Sequence, residues 1–208
     1  MRIAVITPYY KESDKTLLRC IESVKEQTVP CDHIMVADGP PADIAEEYSD
    51  HHLNLPYSSN DYGDTPRMVG SLFAYAQNYD AIAWLDADNW FEPNHLELML
   101  DAVNLNPVAE IITATRNLRR PDGSLLDVDD ESNGDSFNDT NCYLILRSAM
   151  GVAKEWGFKN KKEAIIGDRK VWQAAKQFKR DHVTTPTVNY TTMFGGHYAS
   201  RGEIPPDG

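Results

Sequence analysis

Three short apolar runs constrain the fold of this chain more than any other feature. They cover residues 3–6, 33–36 and 81–85 and are rich in Ile, Val and Ala, as buried strands are. Helical patterns separate them, and in the first of these Ser13 stands where an N-cap is expected. Strands that alternate with helices predict an α/β fold with a mostly parallel central sheet flanked by helices.

The size and charge of the chain limit what such a fold can be used for. A length of 208 residues leaves room for one core, so we expect a single domain over residues 1–208. The formal net charge of -12 repels a phosphate backbone, which disfavours nucleic acid as a partner. A smaller anion can still bind where a divalent cation or a local arginine neutralises it.

The cysteines and the hydropathy indicate a compartment. Cys20, Cys31 and Cys142 are widely spaced and form no C-x-x-C motif, which disfavours a disulfide framework or a zinc site. No stretch of about 18 apolar residues is present, and the first apolar run is too short for a signal peptide. We therefore expect a cytoplasmic protein without a transmembrane segment.

Two carboxylates follow the third apolar run directly. The segment Leu85-Asp86-Ala87-Asp88-Asn89 places them at the sheet edge where open α/β folds bind ligands. Acids two residues apart in a turn can converge on one ion, and Mg²⁺ and Mn²⁺ prefer oxygen ligands. Asp and Asn are also common turn residues, so it is the position after a strand that favours a metal site.

Further short motifs stand after the other runs and at the start of a later helix. Thr7-Pro8-Tyr9-Tyr10 follows the first run and Ala37-Asp38-Gly39 the second, although both are also ordinary turn sequences. Thr65-Pro66 predicts a helix start with Thr65 as N-cap. Arg67 then lies in the first helical turn, where the helix dipole disfavours a cation unless an anion is near.

These motifs resemble those of the inverting glycosyltransferase family 2, and a further match is the segment Ser23-Val24-Lys25-Glu26-Gln27-Thr28. The motifs occur in the same order as in the family, and the resemblance covers about residues 1–200. The resemblance implies one GT-A domain, with a nucleotide-sugar-binding half at 1–117 and an acceptor half with a C-terminal loop at 118–208. It implies transfer of a sugar from a nucleotide-diphosphate sugar to an acceptor hydroxyl, with inversion and with Mn²⁺ or Mg²⁺ as cofactor.

The resemblance also implies roles for single residues. The residues that would contact the nucleotide part of the donor are Thr7, Pro8, Tyr9, Asp38, Arg67 and Asp86. A carboxylate at Asp38 can accept the N3–H of uracil, which favours a UDP-sugar. Asp88 would bind the metal directly, while Asp86 would contact the metal or the ribose through water or hydrogen bonds.

Two later segments extend the resemblance. Ile165-Ile166-Gly167-Asp168-Arg169 is similar to the acidic pair at the start of a late helix in the family, so Asp168 would be the catalytic base. Partial burial of Asp168 would raise its pKa, and the alternative is a simple N-cap role after Gly167. Phe194-Gly195-Gly196-His197 is similar to a C-terminal loop in which His197 would complete the metal site.

An acidic segment lies near the start of the acceptor half. Residues 122–139 hold seven acidic and no basic residues, which predicts a long flexible loop on the acceptor side with a short hairpin. Asp129-x-Glu131-x-Asn133-Gly134 resembles the start of an EF-hand loop. Thr140 stands where that loop requires a Glu, which disfavours calcium.

Two other functions remain open at this point. A sugar nucleotidyltransferase needs a Gly-rich phosphate loop after its first strand, and residues 7–12 contain no glycine. A non-catalytic nucleotide-sugar-binding protein of the same fold would explain why the family's acids are replaced by Ala37 and Gly167.

Overall fold

The structure, a computed structural model, describes residues 1–158 and 161–206. The strands are β1 (Ile3–Tyr9), β2 (Asp32–Ala37), β3 (His51–Asn54), β4 (Ala81–Trp84), β5 (Trp90–Phe91), β6 (Ile111–Arg119), β7 (Leu125–Val128), β8 (Tyr143–Leu146) and β9 (Arg180–Thr191). The helices are α1 (Asp14–Lys25), α2 (Asp43–Tyr48), α3 (Asp64–Ala76), α4 (His95–Leu105), α5 (Gly167–Ala175) and α6 (Gly195–Ala199). Stretches of 3₁₀ helix cover Thr140–Cys142, Arg147–Trp156 and Lys161–Ile166.

The strands of the described residues form one sheet, and the predicted α/β fold is confirmed. Its order is β3-β2-β1-β4-β8-β6-β9-β5, with β7 paired to β6. The first four strands in this order are parallel to one another, as the alternating pattern predicts. Beyond β4 the sheet is mixed, because β8 is antiparallel to both neighbours while β9 is parallel to β6.

Strand β1 lies at the centre of the core and is buried along its whole length. Since successive side chains of a strand point to opposite faces, Ala4 and Ile6 belong to the cluster that holds Ala74 of α3. Ile3 and Val5 belong to the cluster on the other face, with residues of α1 and α4. Each face of the sheet is therefore covered by helices.

Of the two N-caps predicted from the sequence, one is confirmed and one is wrong. Ser13 caps α1, and its side chain accepts a hydrogen bond from the backbone N–H of Thr16. Helix α3 begins at Asp64, so the prediction that Thr65 is its N-cap is wrong. The carboxylate of Asp61 accepts from the Thr65 N–H at 3.1 Å and from its hydroxyl at 2.5 Å, and it thereby satisfies the first helical turn.

The acidic segment after β6 makes more contacts with the rest of the protein than its composition predicts. The expected hairpin is present, formed by β6 and β7. Asp129, Ser132 and Asn138 are nonetheless buried, so this part of the segment is packed into the domain and is not a flexible surface loop. The physical reason is a buried cation, Arg116 of β6, with which Asp129 forms an ion pair.

Two further features concern the surface and the thiols. No helix among the described residues has the length and apolar composition needed to cross a membrane. The three cysteines are free thiols, and burial raises the pKa of Cys20 to about 12.

Candidate functional site

A pocket of about 530 Å³ opens where β1, β2 and β4 end. These strands are neighbours and run parallel, so the residues that follow them meet at one edge of the sheet. The pocket is lined by Pro8, Tyr9, Tyr10, Glu12, Asp38, Ser58, Asn60, Asp61, Tyr62, Gly63, Pro66, Arg67, Asp86, Ala87 and Asp88. The structure thus brings together most of the nucleotide-binding residues that the sequence predicts, together with the predicted metal ligand Asp88.

Asp86 is held on both sides by the protein. One carboxylate oxygen forms an ion pair with Arg67, and the other accepts a hydrogen bond from the side-chain amide of Asn141 at 3.1 Å. The Asp86 backbone N–H donates to the carbonyl oxygen of the same Asn141 side chain at 2.5 Å. Both oxygens of Asp86 therefore already have partners from the chain.

Asp88 lies in a different environment. It is exposed, and it lines the pocket. Its backbone carbonyl accepts hydrogen bonds from Arg19 at 2.6 Å and from the Thr191 hydroxyl at 2.8 Å, which are contacts to the Asp88 end of the turn only. Desolvation by the pocket walls and the negative charge of Asp86 raise the pKa of Asp88 above its usual value.

The two carboxylates fit a hard divalent cation. Mg²⁺ and Mn²⁺ take oxygen ligands, and Mg²⁺ commonly binds through one or two carboxylates while substrate phosphates and water fill its other positions. Among the described residues no group of three or more His, Cys, Asp or Glu side chains is placed to hold a metal. Since both oxygens of Asp86 have partners from the chain, the donor set suits an open site in which Asp88 supplies the direct ligand.

Arg67 is a buried cation in the first turn of α3. Besides Asp86 it lies 3.9 Å from the carboxylate of Asp64, and it donates to the Tyr62 carbonyl at 2.9 Å. Its guanidinium lies over the ring of Trp156, 5.0 Å from the centroid. The anion expected beside this arginine is thus provided by the protein itself, at the floor of the pocket.

Asp38 and Tyr9 form the wall at the end of β1 and β2. The Asp38 carboxylate accepts hydrogen bonds from the backbone N–H and the hydroxyl of Ser59, at 2.7 to 2.8 Å. The Tyr9 hydroxyl accepts from the Ala42 N–H at 2.9 Å and lies 2.6 Å from His52 Nε2. Sequence reasoning missed Ser59, which carries no motif of its own.

Thr7 does not line the pocket, contrary to its predicted role. It is fully buried, and its hydroxyl lies 2.9 Å from His33 Nε2 and 3.7 Å from Cys20 Sγ. The reason is strand alternation, which turns Thr7 towards α1 while the next residue, Pro8, faces the pocket.

His197 is not brought to Asp88 either. It lies in the short helix α6, where its Nδ1 is 2.7 Å from the Thr192 hydroxyl. It lines a separate cavity of about 340 Å³ together with residues of the acidic segment, including Asp129 and Glu131. The structure therefore places His197 in a different cavity from Asp88, and its role as a metal ligand stays a prediction.

Asp168 is the second residue of α5, which places it inside the helix and not at the N-cap, since Ile166 occupies that position. Its carboxylate accepts from the Arg169 N–H at 2.7 Å. Desolvation and the nearby charge of Asp139 raise the pKa of Asp168 above its usual value of 3.8. Trp172 connects helix α5 to the acidic segment, because its indole N–H donates a hydrogen bond to the Ser136 carbonyl at 2.7 Å.

A buried polar network that the sequence did not predict lies between Asp86 and Asp168. Arg116 forms ion pairs with Asp129 and Asp139, each at 2.6 Å, and its guanidinium stacks over the Tyr190 ring at 4.0 Å. Asn141 donates to Asp139 at 2.7 Å as well as to Asp86. The one available signal was that Arg116 lies two residues after the β-branched, apolar stretch 111–114, because a buried cation requires acidic partners.

Comparisons with known proteins agree with this geometry. Residues 4–122, more than half of the chain, match the profile described as Glycosyl transferase family 2. No curated protein sequence compared with the chain matches it. Among solved structures, S. aureus TarS 1-349 in complex with UDP is similar with a TM-score of 0.71 and 14% identity, over 96% of this chain and 63% of that chain.

The other TarS structures give similar values. TarS 1-349 in complex with UDP-GlcNAc has a TM-score of 0.69 and 15% identity, over 96% of this chain and 61% of that one. A longer S. aureus TarS chain has a TM-score of 0.66 and 12% identity, and this chain covers 38% of it. The chain thus spans less than two thirds of these structures, and at such identities the likeness concerns the fold.

The fold is that of the GT-A glycosyltransferases, and the profile match covers the strands and the turn that form the pocket. The chain therefore belongs to glycosyl transferase family 2.

Proposed function

We propose that this chain transfers a sugar from a UDP-sugar to an acceptor hydroxyl, with inversion and with Mn²⁺ or Mg²⁺. The observation that carries the proposal is the single pocket that collects Asp38, Arg67, Asp86 and Asp88. The complexes of TarS with UDP and UDP-GlcNAc support the choice of a uridine nucleotide.

The pocket offers complementary groups for each part of such a donor. Asp38 is fixed by Ser59 on one side, and a carboxylate has lone pairs left to accept the N3–H of uracil. Pro8, Tyr9 and Tyr10 supply apolar surface for the nucleoside. Asp88 is the residue that would hold the cation, through which an acidic protein can accept a diphosphate.

The chemical step requires a base for the acceptor and stabilisation of the departing nucleotide. When bound, the cation acts as a Lewis acid that stabilises the diphosphate leaving group. Asp168 takes the proton of the acceptor hydroxyl as that oxygen bonds to the anomeric carbon, and the bond from this carbon to the diphosphate oxygen breaks. Because burial raises the pKa of Asp168, its carboxylate is a stronger base than that of an exposed aspartate.

The direct test is isothermal titration of the purified protein with UDP, GDP and dTDP, each with and without Mn²⁺. We expect binding of UDP that depends on Mn²⁺ and is lost in Asp88→Ala. Equal binding of the three nucleotides would contradict the uridine assignment, and absence of binding to all three would contradict the donor pocket.

Turnover separates an enzyme from a binding protein of the same fold. We expect Asp168→Asn to bind UDP like the wild type but to release no UDP from a UDP-sugar in the presence of acceptor. Asp43→Asn is a matched control, because Asp43 is an exposed acid in the first turn of another helix and is not among the residues that line the pocket. Full activity of Asp168→Asn would show that Asp168 is not the base.

A further inference from the structure

One buried side chain, Asn141, contacts the Asp86 turn at two points. Its carbonyl oxygen accepts from the Asp86 backbone N–H at 2.5 Å, and its amide donates to the Asp86 carboxylate at 3.1 Å. The same amide donates to the Asp139 carboxylate at 2.7 Å. Asn141 lies 55 residues beyond Asp86 in the chain and just before β8, so the contact is purely tertiary.

The chemistry of this position requires an amide. The neighbours of Asn141 are one N–H donor and two carboxylate acceptors, and only an amide side chain presents one acceptor and two donors in a plane. The residue is fully buried, so water cannot replace a lost partner. The orientation of the amide is settled as well, because the reverse orientation would face its oxygen to two carboxylates.

Asn141 is itself held firmly. Its backbone N–H donates to the Asp139 carboxylate at 3.0 Å, and Asp139 forms an ion pair with the buried Arg116. The segment before Asp139 contacts α5, through Ser136 with Trp172 and through the Phe137 ring, which lies 5.4 Å from the Arg169 guanidinium. The Asp86 turn is thus tied, through Asn141, to the element that carries Asp168.

We propose that Asn141 is a positioning residue that holds the Asp86 turn in the orientation that presents Asp88 to the pocket. The inference rests on the proposed function, since it assigns Asn141 a role in donor binding. Without Asn141, one carboxylate oxygen of Asp86 has no donor, and Arg67 alone holds the carboxylate. The turn then has more than one accessible orientation, which lowers the population that is competent for the cation.

The chain provides a matched control for this role. Asn138 is also a fully buried asparagine, three residues earlier in the same segment. Its amide donates to the Ala114 carbonyl at 2.9 Å and to the Ser132 hydroxyl at 3.2 Å, which are structural contacts away from the pocket. Asn138→Ala therefore removes a comparable set of hydrogen bonds without touching Asp86.

The experiment measures UDP binding in the presence of Mn²⁺ by titration calorimetry, and unfolding in urea, for the wild type and each variant. We expect Asn141→Ala to weaken Mn²⁺-dependent UDP binding by about ten- to a hundredfold, the usual cost of removing a partner that orients a metal ligand. Asn138→Ala should lose stability but bind within about twofold of the wild type.

A second variant covers the case in which Asn141→Ala does not fold. Asn141→Asp keeps the shape of the side chain, removes both amide donors and adds a charge beside Asp86, so it should weaken binding at least as much. A folded Asn141 variant with wild-type affinity, or an equal loss in Asn138→Ala, would overturn the positioning role. Failure of the wild type to bind UDP would instead overturn the proposed function, and the positioning role with it.

Discussion

At the residue scale, the environment of Asp168 gives it a higher pKa than an exposed aspartate has. Desolvation and the charge of Asp139 raise its pKa, while Arg169 and Arg116 oppose that rise. A base must be ionised to act, so turnover should fall as the pH drops through this raised pKa. If the base were an exposed aspartate with the usual pKa of 3.8, the same loss of turnover would occur at lower pH.

Asp139→Asn tests this electrostatic argument. Removal of the negative charge lowers the pKa of Asp168, so the acidic limb of kcat should move to lower pH. The measurement is kcat against pH at saturating donor and Mn²⁺, so that the profile reports the ternary complex. An acidic limb that stays in place, or moves to higher pH, would show that Asp139 does not act on the base.

The residues that sequence reasoning located share one property. Asp38, Asp86 and Asp88 lie in the turns that follow parallel strands, and the carboxyl ends of parallel strands meet at one edge of the sheet whatever the rest of the chain does. Thr7 and Asn141 depend instead on which way a side chain points and on which distant segments pair. A single sequence carries no signal for those two facts.

At the scale of elements, α3 positions Arg67 by direct contact with the sheet. Gly70, one turn after Arg67, faces β1 and β2 so closely that a Cβ there would lie 2.6 Å from the Ile6 Cγ2 and 3.1 Å from the Val36 Cγ2. Such a distance forces the helix or the strand to move. The spacing between α3 and β1 therefore determines where the guanidinium of Arg67 meets Asp86.

Gly70→Ala should consequently destabilise the protein, by about 1–3 kcal/mol as overpacking usually does, despite the better helix propensity of alanine. Urea unfolding measures the change, and UDP affinity should fall in parallel because Arg67 is displaced. Gly151→Ala is the control, since a Cβ at Gly151 has no atom within 4 Å. Equal stability of both variants would refute the close contact.

Periodicity was a good guide to elements that pack by their apolar face, such as α1 and the first strands. Composition was a poor guide to the segment 122–139, where the acidic residues predicted a flexible loop. There the deciding interaction is the ion pair of Asp129 with Arg116 on another strand. An unpaired buried cation is far more costly than an ordered loop, so the pairing overrides the local composition.

At the scale of the whole molecule, two buried histidines connect the strands and helices around β1 and β9. His33 of β2 lies 2.9 Å from the Thr7 hydroxyl, and His95 of α4 lies 2.7 Å from the Thr187 hydroxyl. Burial lowers the pKa of each histidine to about 3. In the native protein both rings therefore stay neutral down to about pH 3, whereas in the unfolded chain they are protonated below about pH 6.5.

The stability of the fold should depend on this difference. Between pH 6.5 and about 3 the unfolded chain binds protons that the native protein does not, so the free energy of unfolding falls as the pH is lowered. Each histidine should contribute a slope that approaches about 1.4 kcal/mol per pH unit. His33→Gln with His95→Asn keeps the nitrogen that faces each threonine and should flatten the slope measured by urea unfolding between pH 6.5 and 5. An unchanged slope would mean that carboxylates alone set the acid sensitivity, and that the two rings accept protons in the native state.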